Sequence, residues 1–546
     1  MHRSGIPFVA LLAALADAQW AGNNIAETHP PLSWKQCASD GQCDAVRGEV
    51  VLDSNWRWLH QVNSFRNCFT GQEWNDDVCS WQSPDSCQCA LEGVDYANVN
   101  GITSSGNALT LRYATESQFG TARNSRVYLM ETPDLYKTFT LADNEIAFDV
   151  DLSAVGCGLN SKLFFVAMDA DGGKAVYPTN RAGAKYGTGY CDATCTQEQR
   201  YPNYEGWEPS PTDPVGGIGR YGACCSEIDV WNSNAHSYSM STKVCQADGY
   251  HRCEDLHCGR FSDRLVRCSA DGCDYSPYRL GLTDFYGEGK TVDTTQPFTV
   301  VTRFTDEETT QFFVQNGQKI ETPAPATPGL SNVSGLNEDY CQNTANAFGI
   351  SRDIFHEVGG FQRHKAALHQ PLVLALAITD DHWAWNTWLD AVYPPMEEGT
   401  PGATRGPCPW TDNNPSVDQD KWENAKVEFA NIRFGPIGST VNVFKMVPWN
   451  AIIRALWYFS PVIRKQYTRM MEDPRVYSAL HRANERLQDI EHGRTTEREM
   501  RPGEATRDPT LPEHRVKRFS KHFFEELGNQ FRGNPTKDDD PRPPKR

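Results

Sequence analysis

Between residues 19 and 440 the chain is rich in short runs that either alternate apolar with polar residues or are apolar and β-branched throughout. Ala147-Phe148-Asp149-Val150-Asp151-Leu152, Lys162 to Met168, Phe298 to Phe304 and Leu372 to Ile378 are the clearest. Gly, Pro, Asn and Asp clusters separate these runs, and side chains two apart on an extended strand share a face. The pattern predicts packed antiparallel sheets, hence an all-β class. A chain of 546 residues exceeds one average domain, but β-sandwiches often run beyond 200 residues as one unit. One β-sandwich domain over 19–440 is expected.

After residue 440 the period changes. Ile452, Leu456, Phe459, Ile463 and Tyr467 recur at helical spacing beside Arg454, Arg464, Lys465 and Arg469, and Phe519, Phe523 and Leu527 repeat the pattern. A helix packed on the body or on itself is the simplest expectation. A basic amphipathic helix at a membrane surface is the less favoured alternative, and Arg454 and Pro461 argue against a membrane span. Charge and proline from Arg494 to Arg507 and after Gly533 predict disorder. Lys517-Arg518 has the form of a processing site.

Charge follows the same division. The net charge is −18, yet residues 441–546 carry 21 Lys/Arg against 15 Asp/Glu, leaving 31 against 55 before them. An acidic body excludes nucleic acid as the expected partner and is compatible with a neutral polymer.

Eighteen cysteines, an even number, all fall before residue 409, which reads as a disulfide framework made in an oxidising compartment. A zinc site is the rival reading, but the steps from Cys253 to Cys258 and from Cys268 to Cys273 are loose for one. The start of the chain agrees with export. Met1-His2-Arg3 is positive, Ile6 to Leu15 is apolar and Ala16-Asp17-Ala18 is small, so residues 1–18 read as a signal peptide with the mature chain from Gln19. A secreted protein is expected, and Asn332-Val333-Ser334 is a glycosylation sequon.

Candidate chemistry lies in Cys224-Cys225-Ser226-Glu227-Ile228-Asp229-Val230-Trp231-Asn232. On a strand, Glu227 and Asp229 project from one face into one cleft. Paired carboxylates suit glycoside chemistry, where a retaining mechanism needs a nucleophile and a second carboxyl as acid and then base. By itself Glu-x-Asp is more often the solvated face of a sheet.

Longer segments narrow the reading: Glu27-Thr28-His29-Pro30-Pro31-Leu32, Asn55-Trp56-Arg57-Trp58, Met168-Asp169-Ala170-Asp171-Gly172-Gly173, Ala184-Lys185-Tyr186-Gly187-Thr188-Gly189-Tyr190-Cys191 and Phe434-Gly435-Pro436-Ile437-Gly438-Ser439-Thr440. From about Glu27 to Thr440 the chain resembles glycoside hydrolase family 7, the fungal cellobiohydrolases and endoglucanases. The resemblance implies a curved β-jelly-roll sandwich, a β-1,4-glucan or cello-oligosaccharide substrate and a retaining glucanase. It implies no cofactor and no metal, and a monomer is expected. It places the nucleophile at Glu227 and its supporting carboxyl at Asp229. The acid/base Glu falls at position 232, where this chain has Asn232.

An amide has no proton to give and cannot deprotonate water. General acid–base catalysis contributes about 10²–10⁴-fold, so turnover of natural glucan is expected to fall by at least that order. Thr379 stands where the family has a platform Trp before Asp380-Asp381; Phe164 replaces a Tyr and Lys243 a His. Trp56, Trp58 and Trp388 match sugar-stacking tryptophans, although core packing is the usual fate of a Trp. Asn160, Tyr190, Asp274, Arg279 and Arg405 match polar cleft positions. The spacing of Trp56 and Trp58 predicts both indoles on one strand face.

The resemblance also implies disulfides pairing Cys37 with Cys43, Cys68 with Cys89, Cys79 with Cys87, Cys157 with Cys408, Cys191 with Cys225 and Cys195 with Cys224. Cys245 with Cys268, Cys253 with Cys258 and Cys273 with Cys341 complete the set. A further family bridge has both halves replaced, by Gly22 and Ala90. Two functions remain open: an impaired glucanase with water or another group such as His236 in place of the missing acid, or a non-catalytic glucan-binding pseudoenzyme.

Overall fold

The alternating and the apolar runs both form strands: Asn144–Asp151, Asn160–Val166, Phe298–Phe304 and Leu372–Thr379. The structure is a computed structural model that describes residues 19–69, 74–78, 88–177, 180–198, 221–258, 267–330 and 334–441. The signal peptide, the Asn332 sequon, the Cys79–Cys87 pair and the extension from residue 442 lie outside the described residues.

Two large sheets dominate. A nine-stranded sheet runs in the order Leu135–Tyr136, Ser125–Thr132, Leu372–Thr379, Asn160–Val166, Glu227–Ser233, Tyr238–Lys243, Cys273–Tyr275, with shorter strands off that path. A ten-stranded sheet runs Gln318–Glu321, Glu308–Gln315, Phe298–Phe304, Asn144–Asp151, Lys426–Pro436, Trp34–Cys37, Cys43–Val46. Pairing along both paths is antiparallel except where Trp34–Cys37 runs parallel to Lys426–Pro436. This is the expected jelly-roll sandwich.

Leu163, Phe165, Leu374 and Leu376 of the first sheet share one core with Phe148, Val150, Val300, Phe429 and Ile432 of the second. Each such side chain taken from water contributes about 1.5–3 kcal/mol. Trp231 belongs to this core, stacked on Tyr238 at 5.0 Å and meeting Phe298 and Phe313 edge-on at 5.9 and 6.0 Å.

With Leu163 and Phe165 turned inward, strand alternation sends their neighbours to the other face of the nine-stranded sheet. Asn160, Lys162, Phe164, Glu227, Ser239, Ser241, Lys243, Ala377 and Thr379 line a cavity of about 1270 Å³ there.

Eight of the expected disulfides are present among the described residues. Cys253, Cys258, Cys268 and Cys273, the residues of the rival zinc reading, are all disulfide-bonded, so none is a thiolate ligand. No helix among the described residues is long and apolar enough to cross a membrane.

Candidate active site

The strand Glu227–Ser233 enters the cleft from a doubly fastened start. Cys224 is bonded to Cys195 and Cys225 to Cys191, so the backbone just before Glu227 is tied to the segment around Tyr190 and Asp192. Within the strand, the two-residue step from Glu227 to Asp229 keeps both side chains on one face. The three-residue step to Asn232 would reverse the face on a regular strand.

A β-bulge prevents that reversal. Opposite Asn160–Val166, Asp229 pairs with Phe164 but Trp231 already pairs with Leu163; opposite Tyr238–Lys243, Asp229 pairs with Ser241 and Asn232 with Ser239. One extra residue is absorbed at Val230–Trp231. Trp231 then reaches the core, and Asn232 returns to the side of Glu227. Gln311 secures the bulge by donating from Nε2 to the Val230 carbonyl at 2.6 Å and to Thr302 Oγ1 at 2.8 Å.

All three motif residues are buried, but only Glu227 lines the cavity. Two lysines cover the carboxylates. Lys162 Nζ contacts Glu227 Oε1 and lies 2.9 Å from Asp229 Oδ1. Lys243 Nζ lies 2.8 Å from Asp229 Oδ2 and 3.8 Å from Glu227 Oε1. Ser241 Oγ donates to Asp229 Oδ2 at 2.7 Å. Burial and the neighbouring Asp229 raise the Glu227 carboxyl to about 7, while the two ammoniums pull it down. Asp229 is held well below the usual carboxylate range, because Lys162 and Lys243 outweigh its burial. The same carboxylates hold Lys243 above the usual lysine range despite its burial.

Asn232 is held on one side. Asn160 donates from Nδ2 to Asn232 Oδ1 at 2.9 Å and accepts from the Ser233 amide at 3.0 Å. Asn232 Nδ2 has no protein acceptor among the described residues. Asn160, expected as a sugar contact, thus also fixes Asn232.

The expected binding residues separate into two groups. Trp56, Asn160, Tyr190, Asp274, Arg279, Trp388 and Arg405 line the cavity, whereas Trp58 does not. The shared strand face for Trp56 and Trp58 is also incorrect. Asp53 Oδ1 accepts the Asn55 amide at 2.7 Å and caps a 3₁₀ turn over Ser54–Trp56, and the strand begins only at Leu59. Trp56 donates from Nε1 to the Arg123 carbonyl at 3.0 Å and has Arg126 over its ring at 5.4 Å. Trp58 instead stacks with His60 and Phe65 at 4.2 and 6.0 Å and donates to Asn67 Oδ1 at 2.7 Å.

On the other side, Asp274 receives Arg279 and, at 3.2 Å, Arg405. The two guanidiniums hold its carboxyl low. The Asp274 carbonyl accepts from Tyr340 Oη at 2.7 Å, which fastens this group to the helix Glu338–Ala347. Tyr190 Oη donates to Asp192 Oδ2 at 2.9 Å beneath Arg126, whose guanidinium lies 3.2 Å from the ring centroid. Lys243 Nζ lies 5.6 Å from the Trp388 ring centroid.

His236, expected as a conceivable replacement acid, does not line the cavity. It sits past the strand's end, where its amide donates to Asn234 Oδ1 at 2.9 Å, and its ring lies beside the Cys157–Cys408 sulfurs. Burial lowers its basicity. Sequence reading missed Lys162, whose only signal was a cation inside an apolar run, a place normally read as a strand's solvated face.

Known proteins match this chain in sequence and fold. The sequence profile described as Glycosyl hydrolase family 7 matches residues 21–441. A cellobiohydrolase from Melanocarpus albomyces, solved in complex with cellotetraose, is 46% identical with a TM-score of 0.74, covering 77% of this chain and 99% of that one. A family 7 cellobiohydrolase from Daphnia pulex is 39% identical with a TM-score of 0.75, covering 77% and 100%. The endocellulase EGI of Humicola insolens is 29% identical with a TM-score of 0.63, again covering 77% and 100%.

Proposed function

The chain belongs to glycosyl hydrolase family 7, and from that premise we propose that its cleft binds a β-1,4-glucan chain while its turnover of unactivated glucan is suppressed. One observation carries this reading: Glu227 and Asp229 are ion-paired to Lys162 and Lys243, and the third position is an amide, Asn232, anchored by Asn160. Glu227 is the nucleophile of a retaining mechanism and Asp229 the group that supports it. The ammonium of Lys162 competes with the sugar for Glu227. No carboxyl at position 232 protonates the leaving oxygen.

Trp56 and Trp388 supply the aromatic contacts, and the Asp274–Arg279–Arg405 group supplies hydrogen bonds to sugar hydroxyls. Eight disulfides among the described residues suit an oxidising compartment, and we place the protein outside the cell as a secreted monomer.

The test combines calorimetry with product chromatography on cellohexaose. Wild type is expected to bind without releasing products, and Glu227→Gln to bind as well. Absence of any binding would remove the proposal. A residual glucanase is the second reading, favoured by one observation: Lys162, whose ammonium contacts Glu227, pairs directly across the strands from Asn232. Wild-type cleavage lost in both Lys162→Ala and Glu227→Gln would establish it.

A further inference from the structure

Outside the cavity a pair of tryptophans has no part in the scheme above. Trp385 and Trp410 lie nearly parallel, 13° between planes and 5.9 Å between centroids. Trp410 is 44% exposed, so a large indole remains at the surface where burial would otherwise be favoured. We propose that the Trp385–Trp410 stack is a second carbohydrate-binding platform, which takes the flat face of solid β-1,4-glucan beside the cleft. The inference rests on glucan being the ligand of the cleft.

Three observations support this placement. First, the segment bearing Trp385 leaves the cleft sheet directly at Thr379, and Trp383, itself 37% exposed, lines the cavity two residues before Trp385. The platform is therefore continuous along the chain with the glucan site. Second, the segment is rigidly built. Asp381 Oδ1 accepts the Trp383 and Ala384 amides at 2.8 and 3.1 Å, and Asn386 Nδ2 donates to the Gly158 carbonyl at 2.9 Å. Trp385 is held at φ 55° and Asn386 at 51°. A bulky residue in the left-handed region is an outlier that its surroundings must impose. On the other strand of chain, Trp410 opens the short turn Trp410–Asn413 two residues after Cys408, which is bonded to Cys157.

Third, the local charge selects the ligand. Asp381, which also lines the cavity, lies four residues before Trp385, and Asp412, whose carbonyl accepts from Lys421, lies two after Trp410, on a protein of net charge −18. Acidic neighbours disfavour an anionic membrane. A neutral pyranose offers axial C–H groups to the indole face. A platform outside the cleft touches a surface of chains rather than the single threaded chain, which separates solid from soluble glucan.

The experiment measures adsorption of the full chain to microcrystalline cellulose by depletion, and cellohexaose affinity by calorimetry, for wild type, Trp410→Ala, Trp410→Tyr and Trp56→Ala. Trp410→Ala is expected to weaken adsorption roughly tenfold, the loss of one stacking indole, with cellohexaose affinity unchanged. Trp410→Tyr should retain most of the adsorption, which distinguishes a lost platform from a damaged fold. Trp56→Ala should weaken cellohexaose binding first. Unchanged adsorption in Trp410→Ala, or equal losses on both ligands, would overturn the platform. Adsorption that depends on Trp410 in a protein that ignores cellohexaose would uphold the platform and remove the cleft reading instead.

Discussion

At the rim of the cleft, Trp56, Trp388, Asp274, Arg279 and Arg405 meet the cavity with side chains fastened from behind, by the Arg123 carbonyl under Trp56 and by Tyr340 under Asp274. On the floor, Glu227, Asp229, Lys162 and Lys243 are turned on one another, and Asn232 is turned on Asn160. Both groups pair their charges internally, but the rim also brings the aromatic side chains of Trp56 and Trp388 to the cavity, whereas the floor brings Glu227 there beneath two ammoniums. In the proposed reading, holding a glucan and breaking it fall to different residues on different elements. One can be lost without the other.

The largest expected effect comes from changing the floor. Asn232→Glu supplies a carboxyl at the acid position, but beside Lys162 it would meet an ammonium already shared between two carboxylates. The pair Lys162→Ala with Asn232→Glu is therefore expected to raise cellohexaose turnover by about 10²–10⁴-fold, and Asn232→Glu alone by less. Product chromatography over time checks both, and equal rates in the single and double variants would deny Lys162 its masking role.

Changing the rim should act on stability and affinity instead. Asp274→Ala leaves Arg279 and Arg405 close together without their shared carboxylate. The expected cost is about 1–3 kcal/mol of stability, read by denaturant unfolding. Trp388→Ala should cost about 1 kcal/mol of cello-oligosaccharide affinity with the melting temperature little changed, since Trp388 lines the cavity. If Trp388→Ala left affinity intact, sugar stacking at the rim would have to be given up.

The smallest effect is a pH shift. As the proposed nucleophile, Glu227, raised to about 7, would attack only when ionised. Release of phenol from an activated aryl cellobioside should therefore fall as pH drops through about 7. Lys162→Ala removes an ammonium that favours the ionised form and should move that midpoint upward. In stability the sign is opposite. A carboxyl whose folded pKa is raised from 4.5 stabilises the fold fully below pH 4.5, and that contribution fades as pH climbs to about 7. Glu227→Gln should flatten that slope in unfolding curves.

Much of the sandwich was legible because buried faces enforce alternation. The run Phe298 to Phe304 became a strand with the same limits. Lys162 to Met168 became Asn160–Val166, because polar Asn160 and Ser161 join the strand, Ser161 bonding Ser233 Oγ at 2.9 Å, which hydrophobicity does not signal. The eight disulfides seen were expected from family resemblance, not from spacing. Lys162 was missed because only its cross-strand partners reveal that its ammonium faces carboxylates rather than water. The bulge at Val230–Trp231 depends on pairings distant in sequence, as does the meeting of Trp385 with Trp410. Trp56 and Trp58 were misread because the local Asp53 cap overrides the strand period.

Calorimetric titration of the wild-type protein with cellohexaose, followed by chromatography of the same solution, tests the separation of holding from breaking most directly. Saturable binding with the hexaose recovered intact is the expected result. Shorter cello-oligosaccharides that accumulate in wild type and vanish in Glu227→Gln would contradict it, and would show that the lysine-paired floor still completes the reaction.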